Sequence, residues 1–222
     1  MADVITGSRK KSMWADVLKR LMHNKLSIIG LVIISVLVLI AIFADVIAPY
    51  DYYAMDMDNK FLAPCPEHLF GTDEFGRDQF SRILLGARLT LTVAVSTIFF
   101  STIFGGIIGV IAAYYKRFDN IIMRIIDVFL AIPNLILAIA MASVLGVGMK
   151  NLILAMTLTN IPGMSRLVRS AVLTVKEEQY IEAAVASGAS TMRIIMRYIL
   201  PNCLSPIIVQ ATLNLEIGRA PV

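Results

Sequence analysis

Long apolar runs constrain this chain more than any other feature. Leu26 to Ala48 carries one charged residue, Asp45, and further apolar runs follow from about Leu89, Ile121, Asn151 and Cys203. A hydrocarbon core of ~30 Å is crossed by ~20 apolar residues in a helix, and several of these runs approach or exceed that length. Of 222 residues, 58% are hydrophobic and 16% charged, against about a quarter charged in an average soluble domain. Mean hydropathy is +0.77. A soluble all-helical domain with a large core is therefore excluded. The expected fold is an all-α, polytopic membrane helix bundle.

The charges give its orientation. Arg9, Lys10, Lys11, Lys19, Arg20 and Lys25 precede the first run. The stretch from Pro49 to Gly86 is acid-rich instead, with Asp51, Asp56, Asp58, Glu67, Asp73, Glu74 and Asp78 against Lys60, Arg77 and Arg82. The positive-inside rule then predicts a cytoplasmic N-terminus and an extracytoplasmic loop. Residues 1–25 form a basic cytoplasmic segment. Trp14, Val17, Leu18, Leu21 and Met22 recur there at helical spacing, either as a helix on the inner membrane face or as an ordinary basic flank. Residues 26–48 form the first span, too long for a signal peptide core and without a small-residue cleavage site. Residues 49–88 form the loop. Residues 89–222 form the core, with spans over about 89–114, 121–144, 151–172 and 203–222.

Within the core, Gly105, Gly106 and Gly109 offer a face that another helix can approach closely. Arg124 and Asp127 are three residues apart, which predicts an ion pair within one helix. Pro133 predicts a kink, and Pro162-Gly163 an interruption of the fourth span. Cys65 and Cys203 fall on opposite sides of the membrane and cannot pair. Cys65 and His68 are too few to make a metal site. No Gly-x4-Gly-Lys-Ser/Thr phosphate loop, no dinucleotide fingerprint and no catalytic constellation is present, and no basic, aromatic-rich domain for nucleic acid.

Residues 176–201 are charged, yet they lie between apolar runs. Glu177 and Glu178 suit a first helical turn. Ala183, Ala184 and Ala186 leave a smooth helix surface. Gly188 suits the left-handed residue that ends a helix, and Ser190 can cap the next. Arg193 and Arg197 share a face of that second helix, which Leu200-Pro201 should stop. The expected result is a cytoplasmic helix-turn-helix with a protruding knob, longer than a plain connection needs.

The spacing Glu182-Ala183-Ala184, three residues, Gly188, then Leu200-Pro201 resembles the coupling loop of binding-protein-dependent ABC importer permeases. Tyr198 stands where that family's pattern has Ile. Residues 68–88, with Gly71, Thr72, Asp73, Gly76, Arg77, Asp78 and Arg82, resemble the segment before the second span in the dipeptide/oligopeptide/nickel permeases, C-type branch. Asn24-Lys25-Leu26 fits that branch too. The resemblance implies a permease that imports peptides into a bacterial cell through its plasma membrane. It implies a homologous second permease, two ATPase subunits that bind ATP and magnesium, an extracellular substrate-binding protein and membrane lipid as partners. Glu182 to Gly188 with Leu200 and Pro201 would dock an ATPase subunit; the chain itself would hold no cofactor or metal and catalyse nothing. The family continues through a sixth span, whereas this sequence ends within its fifth, as a truncated form would. Nickel or another small solute remains open as cargo. An ion-coupled transporter and a non-transporting scaffold are the rival classes. Midplane ionisable groups would favour the former, but Asp45, Arg124 and Asp127 lie toward helix ends, and only Glu216 and Arg219 leave it open.

Overall fold

A computed structural model describes residues 24–214. Among them the regular structure is helical, apart from one isolated bridge between Thr72 and Asp78. The basic segment and its amphipathic patch lie outside the described residues, apart from Asn24 and Lys25, as do residues 215–222. The chain divides into two compact units, residues 1–91 and 92–222.

In the first unit, helix α1 (Lys25–Ile47) opens where the Asn24 side chain accepts the Leu26 N–H at 3.0 Å. Nearly every α1 side chain is exposed, and only Ala41 and Ala44 are buried. An apolar helix of ~35 Å at 1.5 Å per residue, exposed on nearly all its faces, suits a lipid surround. Helix α2 (Gln79–Tyr114) begins ten residues before the expected second span, since Gln79 replaces Leu89 as its start. The cause is Asp78. Its carboxylate accepts the Ser81 N–H at 2.8 Å, satisfying a donor that the first turn leaves unpaired.

In the second unit, Tyr115 alone separates α2 from α3 (Lys116–Leu130). Helix α4 (Asn134–Leu145) follows after a bend of 92° at Pro133. The expected single span over 121–144 is therefore two helices. Proline cannot donate to the preceding turn and pushes Ile132 out of helical geometry. Helix α5 (Met149–Lys176) is continuous through Pro162, which is buried inside it, so the expected interruption does not occur. Helices α6 (Gln179–Ala186) and α7 (Thr191–Ile194) follow. A π-helical turn, Ile195–Ile199, joins α7 to α8 (Leu200–Asn214). Leu200-Pro201 thus does not stop a helix. The Leu200 N–H reaches back to the Ile195 carbonyl. The widened turn before Pro201 accommodates a ring and a missing donor that a regular helix would reject.

Among the described residues, α1, α2 and the run Thr191–Asn214 are long and apolar enough to cross a membrane, and the bent pair α3–α4 adds a fourth when taken together. Helix α5 is less apolar, and its neighbours explain why it need not be more so. Ala155, Thr157, Thr159, Pro162, Met164, Ser165, Val168 and Val172 are all buried, so protein surrounds much of it. Thr157, Thr159 and Ser165 return their hydroxyls to carbonyls of the preceding turn, which satisfies them without water. On α2, Gly105 and Gly109 face this helix. A Cβ on Gly109 would lie 2.6 Å from the Ser165 carbonyl oxygen and 2.8 Å from Val168 Cβ, whereas one on Gly106 would meet nothing. The seam therefore uses two of the three glycines.

Two ion pairs tie α3 to α5. Arg169 donates from two nitrogens to Asp119 at 2.5 and 2.6 Å. Arg166 pairs with Asp127. The expected Arg124–Asp127 pair is absent because α5 brings a better-placed cation to Asp127.

Candidate functional site

The segment from Lys176 to Pro201 leaves α5 through Glu177, which caps that helix. Glu178 is extended and precedes α6, so the two acids flank the first turn of α6 instead of lying within it. Helix α6 ends in a hydrogen-bonded pair. The Gly188 N–H donates to the Val185 carbonyl at 2.9 Å, and the Ala189 N–H to the Ala184 carbonyl at 3.1 Å. This double closure turns the chain through a left-handed residue, and Gly188 has φ +76°. Ser190 precedes α7 in an extended conformation, but its side chain makes no capping bond.

What holds the knob is an apolar anchor that the motif does not name. Ile181 of α6, Ile194 of α7 and Ile199 are buried with Val168 and Val172 of α5 and Cys203 and Ile207 of α8. Ile199, Cys203 and Ile207 recur every four residues, one stripe along the final helix. The anchor was legible only as apolar residues available to pack. Tyr198 is half-buried against the same core, so the departure from Ile still supplies a packing group.

The motif residues divide around this anchor. Glu182 and Ala183 are exposed, as are Gly188 and Pro201, while Ala184 and Leu200 are half-buried. Ala184 packs against the core cluster, so the free alanine surface consists of Ala183 and Ala186. Tyr180, Val185, Met192 and Met196 are exposed beside them.

The motif residues from Gly71 to Arg82 lie in a compact loop fold in the first unit. Asp73 is its hub. It accepts the backbone N–H groups of Phe75 and Arg77, Arg77 Nε at 2.8 Å and an Arg82 nitrogen at 2.6 Å. Burial pushes the Asp73 carboxyl up, but the Arg77 and Phe75 N–H groups and the Arg77 side chain together hold it below the usual carboxylate value. Asp78 is the second hub. Besides Ser81, it meets His68 Nδ1 at 3.0 Å. Burial raises this carboxyl too, and the Ser81 hydroxyl and N–H with the His68 ring outweigh it, leaving the value lowered. Thr72 accepts the Leu62 N–H and donates to the Asn59 carbonyl. Gly71 and Gly76 both have positive φ, and the backbones of Leu62 and Asp56 lie against them.

All seven motif residues thus join one network. Four further residues contribute that the sequence reading gave no part in the motif: Tyr50, Cys65, His68 and Ser81. His68 stacks on Tyr50 with centroids 4.9 Å apart, and the Tyr50 N–H donates to the Ser81 hydroxyl. The spacing Asp78-x-x-Ser81 was the available signal, a helix-start pattern. Cys65 accepts the His68 N–H through sulfur.

The profile described as "Binding-protein-dependent transport system inner membrane component" matches residues 105–218, which include the whole knob and its anchor. The chain belongs to this family. A second profile, the N-terminal transmembrane domain of oligopeptide transport permease C, matches residues 12–64. A dipeptide transport system permease protein, DppC, of Alkalihalophilus pseudofirmus is 47% identical over 204 residues, covering 91% of this chain and 67% of that relative. An oligopeptide transport system permease protein, OppC, of Bacillus subtilis is 38% identical with the same coverage. A glutathione transport system permease protein, GsiD, of Escherichia coli is 39% identical over 209 residues, covering 92% of this chain and 68% of the relative. The chain spans about two thirds of the length of these permeases. As a family member with several membrane-length helices, it is a multi-pass protein of the inner membrane.

Proposed function

We propose that this chain is a membrane subunit of an ABC importer that moves peptides into a bacterial cell, with its N-terminus in the cytoplasm. ATP is bound and hydrolysed by two partner ATPase subunits. A second permease completes the path, and an extracellular binding protein delivers the cargo. The single observation that carries the reading is the knob at Glu182–Gly188, whose anchor residues belong to the same core as α5 and α8. A protrusion packed this way transmits force: a partner that pulls on α6 pulls two bundle helices with it, because a close-packed core moves as a body. The peptide cargo rests on relatives named for dipeptide, oligopeptide and glutathione transport.

The test substitutes the exposed alanine. Ala183→Arg places a charged chain on the free surface without entering the core. The tagged chain, purified from its own membranes in mild detergent, brings down ATPase subunits in the wild type. The variant reaches the membrane at the same level and loses them. Full retention of the ATPase subunits by Ala183→Arg would remove the docking role from this surface.

A further inference from the structure

Helix α6 is held along one line. Ile181 is its one buried residue, and Ala184, half-buried, shares that face three residues on. Only Glu177 and Glu178 link α6 to α5. Beside Ile181 lies a cavity of about 310 Å³, bordered by Tyr114 of α2, Lys176 of α5, Val185 and Ala186 of α6 and Ile194 of α7. Packing contacts are lost across a void. A helix held along one line beside empty space can roll about that line, so the core alone does not fix its angle.

A second attachment spans the edge of this cavity. Tyr114 is the last residue of α2 and Lys176 the last of α5. The Lys176 ammonium lies over the Tyr114 ring, 5.0 Å from its centroid, a cation–π contact. Tyr114 is itself fixed. It packs against the core cluster and meets the Tyr115 ring edge-on, with centroids 5.6 Å apart. Lys176 has no ion-pair partner among the described residues, although Glu177 and Glu178 follow it in the chain and Glu182 borders the same cavity. The ring therefore holds the ammonium, and the carbonyls at the end of α5 favour a cation there.

We propose that Lys176 and Tyr114 are positioning residues for the knob: their contact ties the end of α5 to the end of α2 and so sets the angle at which α6 leaves the bundle. This rests on the docking role proposed above and adds to it. The anchor of Ile181, Ile194 and Ile199 decides that the knob is attached, and the Lys176–Tyr114 clasp decides where it points. Neither residue belongs to the free alanine surface of Ala183 and Ala186.

The tagged full chain is purified from its own membranes in mild detergent, and its ATPase subunits are scored. The chain is then isolated with nitroxide labels at Ser187→Cys on the knob and Ile111→Cys on α2, in a Cys65→Ser background, and the distance between them is read by pulsed electron paramagnetic resonance. Cys203 is buried. The wild-type pair gives one narrow distance. Lys176→Met keeps the unbranched stem and removes the charge, and raises the ratio of displaced to seated knobs about three-fold, the factor for an exposed cation–π contact. Tyr114→Leu does the same. Lys176→Arg and Tyr114→Phe keep the narrow distance, and Lys150→Met, a basic change elsewhere, leaves it unaltered. Lys176→Met with Tyr114→Leu is no broader than either alone, because the shared contact is already lost. ATPase capture with the same distribution in Lys176→Met as in the wild type overturns the clasp and leaves the docking reading standing. Broadening by Lys176→Arg as large as by Lys176→Met, or additive broadening in the double variant, also overturns it, since packing and not the cation would then be responsible. Absence of ATPase subunits from the wild-type preparation overturns the docking reading, and this proposal with it.

Discussion

Asp127 on α3 pairs with Arg166 on α5, 39 residues away, and not with Arg124 three residues back in its own helix. Both partners are more than half exposed, and such a pair contributes under ~1 kcal/mol. Asp119 and Arg169 are less exposed and meet through two hydrogen bonds, worth about 1.5–3 kcal/mol for charged groups. A double-mutant cycle on the purified chain should therefore give a larger coupling energy for Asp119 with Arg169 than for Asp127 with Arg166. A cycle on Arg124 and Asp127 should give none. A measurable Arg124–Asp127 coupling would return Asp127 to its own helix.

The glycine seam separates two neighbours in sequence. Gly109→Ala sets a methyl against backbone atoms of Ser165 and Arg169, which cannot turn aside, and should cost about 1–3 kcal/mol. Gly106→Ala meets open space and should be neutral or slightly stabilising, since alanine is the better helix former. Thermal unfolding in detergent reads the contrast. Equal Tm values for the two variants would deny the close approach.

At Gly188 the strain is conformational. A Cβ there would touch nothing, but φ is +76°. Gly188→Ala should cost about 1–2 kcal/mol, Gly188→Asn less, and Gly188→Val more. Amide exchange at Ala189, whose N–H closes the turn, should quicken in the same order. Identical exchange across the series would show that the turn does not depend on its left-handed residue.

The loop fold should come apart in acid. Asp73 and Asp78 both have folded values below the ordinary 3.8. A carboxyl lowered on folding binds its proton more readily in the unfolded state, so the stability it contributes is complete above pH ~4 and declines as pH falls through the folded value. Near-ultraviolet circular dichroism from Tyr50, Tyr52 and Tyr53 should report the loss below pH ~4. Asp78→Asn should destabilise the loop at neutral pH and flatten this dependence. An acid transition unchanged in Asp78→Asn would take Asp78 out of the latch.

Orientation is tested by labelling. Ser81 is buried and bonded to Asp78, so a thiol there would be hidden on either side of the membrane. Tyr53 is 76% exposed. Tyr53→Cys, in a Cys65→Ser background, should react with a membrane-impermeant thiol reagent in intact cells. Labelling only after lysis would invert the orientation.

The apolar runs were sufficient to derive a helical membrane bundle, because bilayer thickness and backbone hydrogen bonding leave few alternatives. Gly188 was readable as a left-handed stop, since a side chain is costly there whatever surrounds it. The spacing from Glu182 to Pro201 carried the family, as a pattern. Elsewhere local rules gave the wrong outcome. Leu200-Pro201 reads as a helix end, and a π-helical turn carries the helix past it. Pro162 reads as a break, and α5 runs through it. Arg124 and Asp127 read as partners, and α5 supplies a different arginine. In the last case, a group one turn away in sequence competes with one brought near by packing. Only the tertiary structure decides that competition, because the energy of a contact depends on what is adjacent in space. Residues 89–114 carried their own apolar signal, whereas the extension of α2 back to Gln79 depends on the Asp78 latch. The anchor of Ile181, Ile194 and Ile199 has no spacing of its own to announce it: three apolar residues on three short elements become one core only when α5 and α8 lie beside them.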